Sequence, residues 1–187
     1  MNSNEIIAQV KTKLRSAVAH FSEELKKLRT GRAHAGMLDG VMVAAYGTSM
    51  PLNQAATITA PEAQLLQITP FDPATLQAIV SAIRDNQSLG LNPMDDGRVV
   101  RVQVPALTTE RRQQITKLLG EKVEDCMISM RSIRHEALKD ADKAKKDKDI
   151  GEDDYKRLEK QIDELMGKHK MEVEVLARAK ETDIMRV

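Results

Sequence analysis

The sequence predicts an α+β fold in which an elongated antiparallel three-helix bundle is interrupted by a small inserted β/α/β domain. In three segments, one ending near Thr30 and two following Pro105, apolar residues recur every three or four positions. Such periodicity is typical of helices packed lengthwise with small crossing angles. The stretch between these segments instead shows strand-like alternation, turn residues and one short helical pattern. Both observations together favour a helical bundle that the chain leaves and later rejoins.

This interruption predicts the domain organisation. We expect a discontinuous bundle from residues 1–30 and 106–187, and an inserted domain from residues 31–105. The chain would cross between the two domains twice, through linkers near residues 30–32 and 104–106. Two adjacent crossings are expected to act as a hinge.

Each bundle helix is expected to bury one apolar seam. The seam positions are Ile7, Val10, Leu14, Ala17, Phe21, Leu25 and Leu28; then Ile115, Leu119, Val123, Cys126, Met130, Ile133 and Ala137; then Tyr155, Leu158, Ile162, Leu165, Val173 and Leu176. The second helix should begin after Leu107 with Thr108 as its N-cap, and it meets no breaker before Gly151. Residues 149–154 then supply a turn and an acidic start for the third helix.

The inserted segment carries strand and turn signals. Residues 41–46 form a strand candidate ended by Gly47, with Pro51 in the following loop. Residues 57–60 and 65–68 flank a turn and predict a hairpin, and residues 99–104 predict a last strand after an Asp-Asp-Gly turn. Asp72 should cap a short helix that has Pro73 at its first position. This domain is just large enough to form its own core.

Composition limits the possible environments of the chain. None of the 187 residues belongs to an apolar run long enough to span a bilayer, and no secretory signal pattern occurs. We therefore expect a cytoplasmic protein without a membrane partner. The single cysteine, Cys126, lies on the second apolar seam, so it is expected to be a buried thiol and not a nucleophile.

The net charge of +1 conceals an uneven distribution of basic residues. Residues 1–30 carry six Lys/Arg against three Asp/Glu, whereas residues 31–104 carry four against six. The candidate phosphate-binding arginines lie near the hinge and along the second helix, and they are Arg29, Arg32, Arg111, Arg112, Arg131 and Arg134. Arginine suits phosphate because its planar fork presents five donors. Ordinary ion pairing on a helix surface is the alternative interpretation of the same residues.

The remaining residue patterns argue against catalysis. The four histidines are scattered, no Cys-His set has zinc-ligand spacing, and no glycine-rich phosphate loop occurs. We expect no cofactor and no metal. Phe21 and Tyr155 fall on apolar seams, and Tyr46 and Phe71 are assigned to the small domain without an exposed stacking role. Any RNA contact should therefore read phosphate position and backbone shape, not single-stranded bases.

Several motifs in a fixed order resemble the bacterial ribosome recycling factor family. They run from the first helix into the second, and they are Leu28-Arg29-Thr30-Gly31-Arg32-Ala33, Leu38-Asp39-Gly40-Val41, Tyr46-Gly47-Thr48, Leu89-Gly90-Leu91-Asn92-Pro93, Leu107-Thr108-Thr109-Glu110-Arg111-Arg112 and Arg131-Ser132-Ile133-Arg134. The resemblance implies a three-helix bundle joined by two linkers to a small domain in an L-shaped arrangement.

The resemblance also implies a function. Such a factor binds the post-termination ribosome, places its bundle on large-subunit ribosomal RNA and, with elongation factor G and GTP, splits the subunits and releases mRNA and deacylated tRNA. Arg131 and Arg134 match the family's arginines on the RNA-facing helix, and Arg29 and Arg32 match those beside the hinge. The two linkers are matched by Thr30, Gly31 and Arg32 and by Val104, Pro105 and Ala106.

Two other classes of protein share parts of this pattern. A coiled-coil chaperone or nucleotide-exchange accessory protein would also have long helices and a small β domain, but it would usually dimerise through an exposed seam. An RNA-processing enzyme would need acid/base or metal-binding residues that the sequence does not group together. We expect a monomer, because three apolar seams can satisfy one another within one bundle.

Overall fold

The computed structural model describes residues 2–186 and, within that range, contains five α-helices and six β-strands. The helices are α1 Ser3–Lys26, α2 Leu52–Ala55, α3 Leu76–Arg84, α4 Thr109–Lys146 and α5 Glu152–Met185. The strands are β1 Met42–Ala45, β2 Thr48–Pro51, β3 Ala56–Glu62, β4 Leu65–Pro70, β5 Pro93–Asp95 and β6 Val100–Gln103. The predicted α+β class is confirmed. In this part of the chain no helix combines the length and apolarity needed to cross a membrane.

The chain divides into two compact units. The bundle unit contains the described residues up to Thr30 and from Thr109 onward, and the inserted unit is Gly31–Thr108. Residues 106–108, which we expected in the bundle, therefore lie with the inserted unit.

The bundle unit consists of α1, α4 and α5, and each of these helices packs against the other two. Lys13 of α1 pairs with Glu136 of α4 at 2.7 Å, and Glu24 pairs with Lys122 at the same distance. Because early residues of α1 meet late residues of α4, these two helices are antiparallel. Hydrogen bonds from Lys122 and Lys27 lower the pKa of Glu24 to about 2, so its carboxylate is ionised at neutral pH.

The buried faces of the three long helices follow the predicted seams with local shifts. In α1 the buried residues include Ile6 and Val18, whereas the predicted Ile7 and Ala17 are only half-buried. The complete buried sets are Ile6, Val10, Leu14, Val18, Phe21 and Leu25; Ile115, Leu119, Cys126, Met130, Ala137, Ala141 and Ala144; and Leu158, Ile162, His169, Val173 and Ile184. Cys126 is buried as expected.

The connection between α4 and α5 is short. The α4 helix ends at Lys146, and Gly151 occupies the N-cap of α5 with Glu152, Asp153 and Asp154 in the first turn. Acidic residues at a helix N-terminus interact favourably with the helix dipole. The predicted turn and acidic start are confirmed.

The inserted unit contains a two-stranded sheet, β1–β2, and a four-stranded antiparallel sheet of order β3–β4–β6–β5. Leu76, Ile79, Val80 and Ile83 of α3 are buried in one core with strand residues that include Ile68. The predicted hairpin is confirmed as the antiparallel pair of β3 and β4.

Two strands were missed in the sequence. Gly47 lies in the turn that connects β1 to β2, and Pro51 is the last residue of β2 and not part of a loop. The β5 strand begins at Pro93 and pairs with β6 across the predicted Asp-Asp-Gly turn. Both missed strands are at most four residues long and carry a proline, which is tolerated at the edge of a sheet.

Candidate nucleic-acid interface

The α4 helix places Arg131 and Arg134 one turn apart, next to the buried seam residue Met130. Arg134 donates from Nε to Oδ1 of Asp163 on α5 at 2.6 Å. Arg131 donates from Nη2 to Oε1 of Glu124 on its own helix at 2.5 Å. Both arginines therefore have carboxylate partners, as the surface ion-pair interpretation requires.

The exposure of these pairs decides how strongly each arginine is held. The Arg131 side chain is 62% exposed and the Arg134 side chain 39% exposed. The hydrogen bond to Asp163 raises the pKa of Arg134, so this guanidinium is charged at any physiological pH. Exposed ion pairs contribute about 0–1 kcal/mol to stability. Breaking either ion pair should therefore cost little free energy.

Arg111 and Arg112 do not join this pair. They lie near the N-terminus of α4, and at 1.5 Å rise per residue they are about 30 Å along the helix from Arg131. Arg112 donates from Nη1 to the carbonyl oxygens of Ile184 and Arg186, each at 2.6 Å. These carbonyls terminate α5, so Arg112 caps the last helix and the geometry assigns it a structural role within the bundle. Arg111 donates to Gln114 at 2.9 Å.

Arg29 and Arg32 flank the first connection between the two units. Arg29 belongs to the bundle unit and Arg32 to the inserted unit, and both side chains are exposed. Both lie outside α1, which ends at Lys26.

The residues expected to form the hinge are distributed unevenly. Thr30 is the last residue of the first bundle segment, whereas Gly31, Arg32, Val104, Pro105 and Ala106 all belong to the inserted unit. Val104 is buried, and its N–H donates to the carbonyl oxygen of Gln64 at 2.8 Å. The expected linker at 104–106 is therefore anchored in the inserted unit at its first residue, and the boundary lies at Thr108–Thr109.

Gly31 has a conformation that other residues rarely adopt. Its φ is +79°, and a Cβ atom at this position would lie 3.3 Å from Cγ of Leu107. The positive φ favours glycine at this position, and a larger residue would also require the Leu107 side chain to move by a few tenths of an ångström. Since Leu107 lies just before the second boundary, the two connecting segments run side by side within the inserted unit.

The expectation that the small domain exposes no aromatic ring is wrong. Tyr46 is 69% exposed and Phe71 is 66% exposed. Their exposure could not be predicted from the sequence, because each residue directly follows a strand and aromatic residues next to strands are often buried.

Within residues 2–186 no three His, Cys, Asp or Glu side chains are close enough together to hold a metal ion. Cys126 lines a cavity of about 120 Å³ between α1 and α4, and burial raises the pKa of its thiol. His169 is buried, with Nδ1 2.8 Å from the carbonyl oxygen of Leu165.

The fold and these residues define a class of protein: an α+β binding protein with a three-helix bundle, an inserted small domain and arginines on a bundle helix. The family model for "Ribosome recycling factor" matches residues 21–185. The chain belongs to the ribosome recycling factor family.

Curated relatives match over almost the whole chain. A ribosome-recycling factor of Roseiflexus sp. (strain RS-1) is 39% identical over 184 residues, which cover 98% of this chain and 99% of the relative. A ribosome-recycling factor of Erythrobacter litoralis is 42% identical over 178 residues, covering 95% and 96%.

Solved structures of the same family have a similar fold. A solution structure of a ribosome recycling factor matches with a TM-score of 0.76 and 33% identity, covering 100% of this chain and 99% of that one. The Thermus thermophilus factor, represented together with the Escherichia coli elongation factor G bound to the E. coli post-termination complex, matches with a TM-score of 0.65 and 34% identity. The match covers 99% of this chain and 100% of the T. thermophilus factor.

Proposed function

We propose that this protein binds the post-termination ribosome and, with elongation factor G and GTP, splits it into subunits, releasing mRNA and deacylated tRNA. The observation that carries the proposal is the full-length match to ribosome recycling factors, which includes both units and the connections between them. The related T. thermophilus factor has been placed with elongation factor G on a post-termination complex. Because its target is the ribosome, the protein would work in the cytoplasm.

The bundle unit is the proposed RNA-binding part. Arg131 and Arg134 would contact phosphates of large-subunit ribosomal RNA, since Arg131 is exposed, Arg134 is half-buried and both are only weakly held by their carboxylate partners. Arg29, Arg32 and Arg111 would add phosphate contacts elsewhere. Arg112 would support this surface indirectly by fixing the end of α5 against α4.

The inserted unit is the part on which elongation factor G would act. It has its own buried core, so it can move as one body relative to the bundle unit. The proposed movement occurs at Thr30–Gly31 and Thr108–Thr109, where the two units join. In this mechanism GTP is hydrolysed by the elongation factor, and the protein described here carries out no covalent step of its own.

The test is the breakdown of purified polysomes. Ribosomes stalled after peptide release are incubated with the protein, elongation factor G and GTP, and the products are separated on a sucrose gradient. We expect conversion to subunits and monosomes that requires all three components and is blocked when a non-hydrolysable GTP analogue replaces GTP. Persistence of polysomes in the complete mixture, with a known recycling factor active in parallel, would refute the proposal.

A further inference from the structure

The turn between β1 and β2 holds Tyr46 in a backbone conformation that is unusual for a bulky residue. The φ angles of Tyr46 and Gly47 are +54° and +75°. Two consecutive positive φ values are typical of the hairpin turn that favours Asn-Gly or Gly-Gly. A tyrosine at the first position costs free energy, and such strained residues cluster at functional sites.

A hydrogen bond fixes the tyrosine ring in place. Oη of Tyr46 donates to Oδ2 of Asp72 at 2.5 Å, while Oδ1 of Asp72 accepts from the N–H of Ala74 at 2.9 Å. The carboxylate is therefore itself oriented by the short helical turn Pro73–Thr75 that it caps. This bond explains how the strained conformation is held, but it does not explain why the apolar face of the ring remains in water.

A second exposed aromatic residue directly precedes Asp72 in the sequence. This residue is Phe71, and its N–H donates to the carbonyl oxygen of Ala55 at 3.0 Å, which fixes its backbone. The carboxylate of Asp72 is thus bonded to one exposed aromatic residue and adjacent in sequence to another. We call Tyr46, Phe71 and Asp72 the aromatic–carboxylate patch.

The charge around this patch indicates what it can bind. The hydrogen bonds from Tyr46 and from the N–H of Ala74 lower the pKa of Asp72, so the carboxylate is ionised at neutral pH. Residues 31–108 contain four basic and six acidic residues, a net charge of −2. A nucleic-acid strand could stack on the rings, but its phosphates would be repelled by this charge. A guanidinium group is attracted both by aromatic faces and by a carboxylate.

We propose that the aromatic–carboxylate patch is a docking site for an arginine side chain on a basic segment of a protein in the recycling complex. The rings provide flat faces for the guanidinium plane, and Asp72 provides the opposite charge. The strain at Tyr46 is then the cost of presenting its ring to a partner. This proposal depends on the proposed function in one respect: the partner is sought in the recycling complex.

Photo-crosslinking identifies what touches the patch. The photoreactive residue p-benzoylphenylalanine replaces Phe71 in one sample, and Met94, exposed on β5 at the far edge of the four-stranded sheet, in a control. A third sample carries it at exposed Ser132 beside Arg131 and reports whether the bundle is bound to ribosomal RNA. The complex is assembled from purified ribosomes, elongation factor G and a non-hydrolysable GTP analogue.

We expect the Phe71 sample to crosslink to a protein, within a peptide that contains arginine, and the Met94 sample to give no such product. Crosslinks from position 71 to RNA alone would overturn the proposal in favour of base stacking. No crosslink from position 71 while position 132 reacts with RNA would also overturn it. Failure at position 132 would instead contradict the proposed function.

Substitutions at Phe71 test whether the aromatic face matters for splitting. Phe71→Leu keeps an apolar side chain but removes the π face, and Phe71→Tyr keeps the ring. We expect Phe71→Leu to slow subunit splitting about fivefold, as loss of a cation–π contact would, with unchanged large-subunit binding, and Phe71→Tyr to restore the rate. Equal splitting by Phe71→Leu and the unaltered protein would overturn the proposal, whereas no splitting by the unaltered protein would contradict the proposed function.

Discussion

At the scale of single residues, the two interpretations of the α4 arginines lead to opposite expectations. Arg134→Ala should weaken binding to the large subunit about tenfold or more, because a charge-assisted phosphate contact is worth about 1.5–3 kcal/mol. Arg131→Ala should have a smaller effect. Binding measured at several salt concentrations should also show a smaller salt dependence, by about one unit of slope for each lost phosphate contact. The melting temperature should hardly change, since the ion pairs are exposed.

The matched control for this prediction is Asp163→Asn. It removes the carboxylate that holds Arg134 at 2.6 Å but leaves the arginine in place. If Arg134 binds phosphate, Asp163→Asn should bind the large subunit as well as the unaltered protein or more tightly. A loss equal to that of Arg134→Ala would mean that the ion pair itself is what the bundle needs.

The arginines also show what the sequence could and could not predict about the site. Their residue type and position on one helix are visible in the sequence, and so is the one-turn spacing of Arg131 and Arg134. Their partners are not visible, because Asp163 is 29 residues from Arg134 and the carbonyl of Ile184 is 72 residues from Arg112. The capping role of Arg112 depends on where α5 ends relative to α4, which only the packed bundle determines.

At the scale of secondary-structure elements, glycines in different settings should respond oppositely to alanine. Gly120 lies within α4 with open space around a Cβ atom, so Gly120→Ala should stabilise the helix by about 0.5–1 kcal/mol. Gly31→Ala should destabilise the inserted unit by about 1–2 kcal/mol, because φ is +79° and Leu107 is close.

Amide hydrogen exchange can locate both effects. Protection should increase around residue 120, in the first third of α4, for Gly120→Ala and decrease in β4 and β6 for Gly31→Ala. Unchanged protection of β4 and β6 in Gly31→Ala would show that the close approach to Leu107 is relieved without cost.

The secondary-structure elements that were predicted correctly have strong local signals. Long apolar periodicity marks α4 and α5, and Asp72-Pro73 marks the start of a helical turn by a cap and a preset φ. The seam of α1 was misplaced by one residue at Ile6 and Ile7 because adjacent apolar residues fit the spacing equally well. The short strands β2 and β5 have no alternation to detect and exist because neighbouring strands offer them partners.

At the scale of the whole molecule, the chain forms two units joined by two connections. This organisation predicts that binding to the ribosome and splitting of its subunits can be altered separately. The sequence indicated both connections, but it placed the second one at 104–106, where a proline and small residues suggested a linker. Val104 is instead a core residue of the inserted unit and is hydrogen-bonded to Gln64. Burial of a single valine by a neighbouring strand cannot be seen from local composition.

The last prediction concerns the number of chains in the free protein. The buried seams of α1, α4 and α5 face one another within one bundle, so the protein should be a monomer. The strongest candidate for a self-association surface is on α5, where Met171 and Val175 are exposed one turn apart. Two such side chains form a patch smaller than those typical of stable interfaces. Sedimentation equilibrium, which reports mass independently of shape, should give the mass of one chain over a hundredfold range of concentration. A dimer mass that Met171→Lys reduces to that of one chain would place a dimer contact on α5 and would favour the chaperone class over a recycling factor that acts alone.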